Sequence, residues 1–154
     1  MKVRPYTIND TEEILNLFYD TVHQINIRDY TQEQVNAWAT VIHDRELWMN
    51  RFNNSFTFVV EKEAKILGFA NLENTGYIDC FYVHKDFQGQ RVGSILLETI
   101  ELKVKFLGVN KLFTEASITA KPFFEGKNFV VLKQQEVERR GQKFINFLME
   151  KVFI

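Results

Sequence analysis

Apolar positions recur along this chain with two periods, and the points where the period changes mark its elements. Val3 to Tyr6 is a short strand candidate. Asp10, followed three residues later by Glu13, reads as an N-cap with capping-box character, after which Ile14, Phe18, Val22 and Ile25 recur at helical spacing. The polar connector from Asn26 to Tyr30 follows. Thr31 and Gln34 then form a second capping box ahead of a helix that buries Val35 and Trp38, and Asp44 to Phe52 reads as a third short helix. Ser55 to Glu61 and Ile66 to Leu72 read as strands joined by the charged turn Glu61 to Lys65, and Tyr77 to Val83 continues as another strand. The spacing of Leu97, Ile100, Val104 and Leu107 predicts a helix from Gly93 to Leu107, with Gly108 placed for a left-handed C-cap. A strand from Lys111 to Ala116, a short helix from Ala120 to Lys127 and a hairpin of Val130 to Glu138 with Lys143 to Val152 complete the pattern.

This order predicts a mixed α/β sheet with helices on both faces and a strand-helix-strand crossover over residues 77 to 116. With 154 residues, 45% apolar and 14% aromatic, the chain suits one domain over residues 1–154, and 15 Phe against two Pro argue for order. Nineteen basic and 20 acidic side chains give a formal charge of −1, with no basic run longer than Arg139-Arg140, which argues against nucleic acid as a partner. Cys80 is a lone cysteine and Met1 to Pro5 carries no apolar stretch, so the expectation is a cytoplasmic protein with no membrane segment. His23, His43 and His84 lack metal-ligand spacing, and no metal is expected.

The segment Asp79 to Leu97 runs from an aromatic and β-branched strand through a glycine turn into an amphipathic helix. Backbone N–H groups at a helix start have no intrahelical partner, so such a junction can cradle a pyrophosphate. It lacks Gly-Lys-Ser or Gly-Lys-Thr and the spacing of a dinucleotide fingerprint. Instead Gln88-Gly89-Gln90-Arg91-Val92-Gly93, between the strand Phe81-Tyr82-Val83 and the helix opening Ser94-Ile95-Leu96-Leu97, resembles the Gln/Arg-x-x-Gly-x-Gly/Ala motif of the GNAT N-acetyltransferase superfamily. Arg91 departs from it, standing at the family's middle glycine. It is tolerable there if its backbone keeps a negative φ, and its side chain either contacts a phosphate or is simply solvated. The opening Val3-Arg4-Pro5-Tyr6-Thr7, the element order and the final hairpin also resemble that superfamily, and residues 1 to 30 and 114 to 150 resemble its YafP-like bacterial branch.

The resemblance implies a GNAT-like α+β fold, mostly antiparallel, with acetyl-CoA as co-substrate across the strand ending at Val83 and its pyrophosphate on the N–H groups from Gln88 to Ser94. It implies N-acetylation of a primary amine, small molecule or peptide, by direct attack on the thioester, and leaves room for a homodimer. The alternative is a non-catalytic acyl-CoA sensor or interaction module. The family commonly places its proton acceptor at the strand positions matched by Tyr77 or Asp79. A period of two puts Tyr77, Asp79, Phe81 and Val83 on one face. Apolar neighbours should raise the Asp79 pKa and suit it to a base, unless it pairs with a lysine or arginine. Glu73 is a second base candidate, or a recogniser of the cationic acceptor, or solvent-facing. Cys80 as an acetyl carrier is less favoured than as a buried small hydrophobe. The family pattern Asn-x-x-Ala-x-x-x-Tyr-x-x-x-Gly-Phe reads here Ser117, Ala120, Phe124, Asn128 and Phe129, so Phe124 replaces the tyrosine that protonates the leaving thiolate. Tyr77 or Tyr82 would have to supply that proton, or none does. Ser117 is a candidate contact to the pantetheine arm or a helix cap, and because the superfamily commonly forms its acceptor pocket in the region of the first two helices, the resemblance makes Arg28, Asp29, Tyr30 and Trp38 acceptor-site candidates.

Overall fold

The computed structural model describes residues 1–153. One seven-stranded sheet runs in the order β1 (Lys2–Pro5), β2 (Phe56–Lys62), β3 (Lys65–Leu72), β4 (Tyr77–Val83), β5 (Lys111–Ser117), β7 (Gln142–Val152) and β6 (Val130–Arg139). Every neighbouring pair is antiparallel except β4 with β5, which pair in parallel only at Tyr77 with Phe113 and Ile78 with Thr114. Beyond Ile78 the two strands diverge and leave a cleft in the middle of the sheet. On one face lie α1 (Thr11–Gln24), α2 (Gln32–Trp38) and α3 (Arg45–Asn53), packed through Ile14, Phe18, Val35 and Phe52 onto Val59, Ile66 and Phe69. On the other lie α4 (Val92–Phe106) and α5 (Lys121–Gly126), packed through Leu96, Ile100, Val104 and Phe124 onto Val60, Ala70, Leu72 and Ile78. The predicted mixed sheet with helices on both faces is therefore observed, and it is mostly antiparallel.

Three local expectations change. Asp10 does not cap α1; its carboxylate accepts the Thr7 N–H at 2.8 Å and pairs with Arg4 at 2.8 Å, so the capping box sits one turn earlier, on the 3-10 turn Ile8–Asp10. Glu13 is drawn instead to the Ile66 N–H, 2.7 Å away on β3. The connector ends in Tyr30, which is buried, its hydroxyl donating to the Ile145 carbonyl at 2.8 Å and accepting from the Ile118 N–H at 2.9 Å.

The third change concerns β4. Asn71 pairs with Cys80 while Leu72 pairs with Ile78, which leaves Asp79 as the extra residue of a β-bulge. The bulge breaks the alternation on which the sequence reading relied. Ile78 joins Phe81 and Val83 in the α4 layer, whereas Cys80 and Tyr82 lie in the α1 layer. Asn71, fully buried, fills the break: its side-chain oxygen accepts the Cys80 N–H at 2.8 Å and its amide donates to Asp79 at 3.0 Å. The N-terminus of α4 seats directly on β3 because Gly68 has no side chain; a Cβ there would lie 2.7 Å from Val92 Cγ1 and 3.0 Å from the Tyr82 carbonyl oxygen.

Candidate active site

The loop after β4 is built to expose donors. Gln88 donates to the Val83 carbonyl at 2.8 Å and so folds the loop back onto the strand end. Gly89 has φ 71° and Arg91, the N-cap of α4, has φ 70°. The negative φ under which arginine would sit there without strain is not met: the turn requires the left-handed conformation that the family glycine would adopt freely, and arginine adopts it here at a steric cost. The first helical bond of α4 runs from the Ile95 N–H to the Arg91 carbonyl, so the N–H groups of Val92, Gly93 and Ser94 lie ahead of the intrahelical ladder at the positive end of a 15-residue helix. A Cβ on Gly93 would sit 3.0 Å from the Phe123 ring, so the helix start and α5 close on each other at this point.

A cavity of about 420 Å³ runs from this loop into the cleft between β4 and β5. Its wall includes Phe81, Tyr82, Val83, Gln88, Gly89, Arg91, Val92, Gly93, Ser94, Ser117 and Phe124, which are the cofactor-binding candidates except Gln90. Phe124 is buried against Phe81 and Phe129, with ring centroids 5.3 and 5.0 Å away, and offers no donor. Ser117 is a cap: its hydroxyl accepts the Ala120 N–H at 3.0 Å, while also reaching the cavity wall.

A second cavity, of about 220 Å³, opens on the far side of β4 between α2, α3 and the β6–β7 hairpin. Its aromatic wall includes Tyr30, Trp38, Trp48, Tyr77, Tyr82 and Phe144, and its charged groups are Arg51, Asp79, Glu115, Arg139 and Arg140. The two cavities share Trp38, Asp79, Tyr82, Glu115 and Ser117, so they meet at the cleft. Of the acceptor-site candidates, Tyr30 and Trp38 line the smaller cavity, whereas Arg28 and Asp29 are exposed and line neither. Glu73 is exposed at the mouth of a third cavity that also touches Asp79 and Arg51 from the outer side.

Electrostatics separate the groups at the junction. Arg51 from α3 donates twice to the Asp79 carboxylate, each at 2.6 Å. Desolvation pushes the Asp79 pKa up, but the Arg51 hydrogen bonds and charge, helped by Asn71, outweigh it and hold the group below the usual carboxylate range. The raised value expected of a base in an apolar setting is therefore not found, and the arginine pairing weighed against it is. Glu115 carries no cationic partner among the described residues; it accepts from the Tyr77 hydroxyl at 3.2 Å and from the Gln135 amide. Burial, with Glu115 nearby, pushes the Tyr77 phenol up, and burial does the same for Tyr82, so both hold their protons at neutral pH. Trp38 donates to the Tyr82 hydroxyl at 3.2 Å, which leaves the tyrosine's own proton free to point elsewhere. Cys80 is buried, its thiol pushed up to about 12 by desolvation and by Asp79, and stays protonated.

Arg51, Asn71, Glu115 and Arg139 were not singled out from the sequence. Asn71 left a trace there, an amide within the apolar run Ile66 to Leu72. The other three lie on exposed-looking segments with no such mark.

The chain has relatives along nearly its whole length. It is 33% identical to the uncharacterized N-acetyltransferase YafP of Escherichia coli over 150 residues, 97% of this chain and 94% of the relative. A crystal structure of a GCN5-related N-acetyltransferase from Rhodopseudomonas palustris superposes with a TM-score of 0.95 at 29% identity, covering 99% of this chain and 95% of that one. The PaiA N-acetyltransferase of Thermoplasma acidophilum, solved with coenzyme A, shares the fold with a TM-score of 0.80 at 18% identity, covering 99% and 98%. Residues 26–151 match the acetyltransferase (GNAT) domain family, and with a relative at one-third identity along nearly its whole length the chain belongs to the GNAT N-acetyltransferases.

Proposed function

We propose that this protein moves an acetyl group from acetyl-CoA to a primary amine by direct attack on the thioester. The observation that carries the reading is the meeting of two cavities at Trp38, Asp79, Tyr82, Glu115 and Ser117, one reaching a helix-start phosphate cradle and the other an aromatic pocket. The cradle fits a pyrophosphate, since the N–H groups of Val92, Gly93 and Ser94 and the positive end of the helix dipole converge at the start of α4. Bound there, acetyl-CoA supplies the acetyl group as an activated thioester. Trp38 and Tyr82 exclude water at the junction, and confinement of the two reactants contributes more than any single group. Glu115 accepts the proton of the incoming ammonium, directly or through water, because the other carboxylate at the junction is already bound to Arg51. Tyr82 donates to the departing thiolate, a role that Phe124 cannot fill. Asp79 holds α3 against the β4 bulge and keeps the junction in shape.

The test is acetyl-CoA turnover, read by thiol release, across a panel of primary amines. Gly93→Trp should abolish coenzyme A binding by filling the helix start with an indole, and Glu115→Gln should cut kcat on the order of 10²-fold or more while leaving coenzyme A affinity unchanged. Full activity in both variants sinks the assignment. Tight coenzyme A binding with no transfer to any amine would favour an acyl-CoA sensor instead, a reading supported by the missing hydroxyl at Phe124.

A further inference from the structure

The acceptor cavity holds three guanidinium groups, Arg51, Arg139 and Arg140, against two carboxylates, Asp79 and Glu115. Four of these five are already engaged. Arg51 and Asp79 neutralise each other, Arg140 donates to the Ala37 carbonyl, and Glu115 accepts from Tyr77 and Gln135. Arg139 differs: it is exposed and, among the described residues, has no ion-pair or hydrogen-bond partner, yet it lines the cavity and its charge is felt at Asp79 and Cys80. Its backbone is nevertheless well placed. It closes the β6–β7 ladder opposite Gln142, and the adjacent Arg140 ties the hairpin tip to the end of α2.

A lone guanidinium on the wall of a concave aromatic pocket concentrates anions, and its planar fork matches a carboxylate. We infer that the acceptor is a free amino acid with an apolar side chain, its carboxylate on Arg139, its amine at Glu115 and its side chain against rings such as Trp38 and Phe144. This rests on the acetyl-transfer reading and names its acceptor class. The charge balance disfavours a polyamine, whose second cation would meet the guanidinium excess. A protein N-terminus is disfavoured too, because a peptide bond replaces the carboxylate beside its amine.

Binding of L-phenylalanine, L-phenylalaninamide and phenylethylamine to the protein saturated with coenzyme A, measured by calorimetry, tests the inference, since the three share ring and amine and differ at the carboxylate. L-phenylalanine should bind on the order of 10–100-fold more tightly than the other two, the range of one charge-assisted contact. Arg139→Gln should remove that preference and leave phenylethylamine binding unchanged, and Arg139→Lys should restore part of it. Equal affinity for all three ligands, no binding of L-phenylalanine, or an equal loss for all three in Arg139→Gln overturns the inference. Turnover measured on the same ligands keeps the two readings apart: carboxylate-dependent binding without acetyl transfer would reject the transferase reading and keep the recognition by Arg139.

Discussion

Arg91 holds a φ of 70°, where its Cβ crowds the following carbonyl oxygen. A non-glycine residue in that region costs about 1–2 kcal/mol, and the cost is accepted where the turn must aim its N–H groups. The turn therefore forms without the usual glycine because Gly89, Gln88 and the helix behind it over-determine the loop. Glycine at 91 would adopt the same φ without strain, although it would lose more entropy on folding. Arg91→Gly is accordingly expected to change stability by no more than about 1 kcal/mol, whereas a β-branched Arg91→Val should lose clearly more. Thermal unfolding of the three proteins checks this, and a valine variant as stable as the parent would show that the turn is not held in the left-handed region. If the Arg91 side chain also contacts a phosphate, the glycine variant will bind coenzyme A with a shallower salt dependence.

At the scale of elements, the bulge in β4 is the feature on which the site turns. One extra residue, Asp79, moves Tyr77 to the wall of the smaller cavity and Ile78 to the α4 layer, and the ion pair to Arg51 ties that strand to α3. The pair is partly open, with the Arg51 side chain 39% exposed against 11% for Asp79, so its worth is well below that of a sealed pair. Because the folded-state pKa of Asp79 is depressed below the ordinary 3.8, its contribution is fully present above about that pH and is lost as pH falls through the lower folded value. Asp79→Asn should cost about 1–3 kcal/mol at neutral pH. The stability gap between the two proteins should stay constant from neutral pH down to about 5 and narrow only below about 4. Denaturant unfolding across that range is the measurement, and a gap that closes near neutral pH would refute a depressed pKa. It follows that Asp79 should contribute no inflection to the rate near neutrality.

On the scale of the whole molecule, the sheet is two halves joined at Tyr77–Phe113 and Ile78–Thr114, with the cleft between them open toward the cradle. A ligand filling that cleft bridges both halves, so binding stabilises the fold as a unit. At a coenzyme A concentration near 100 times its Kd the gain is about 2.7 kcal/mol, which for a domain of this size is roughly 5–10 °C in Tm. Thermal scans with and without coenzyme A measure it, and an unchanged Tm at saturating ligand would remove the cleft as a coenzyme A site.

Much of this architecture was legible in the sequence. The apolar and β-branched runs of β2, β3 and β4 and the helical spacing from Leu97 to Leu107 are local patterns, set by near neighbours along the chain. Thr31 with Gln34 caps α2 as its local chemistry dictates, and Gly108 adopts φ 74° where a C-cap needs it. The glycine turn into α4 belongs to the same class, because a loop and a helix start are contiguous in sequence. What the chain could not disclose on its own is where alternation fails and which charges meet. The bulge at Asp79 depends on Asn71 of another strand, the partner of Asp79 comes from α3, and Glu115 and Arg139 reach the smaller cavity from two further strands, β5 and β6. Sequence alone determined the elements, their order and the glycine turn into α4, since those arise from short-range periodicity and capping. Only the tertiary structure decided the state of Asp79 and the charge lining the smaller cavity, because desolvation and ion pairing depend on distances between segments far apart in the chain.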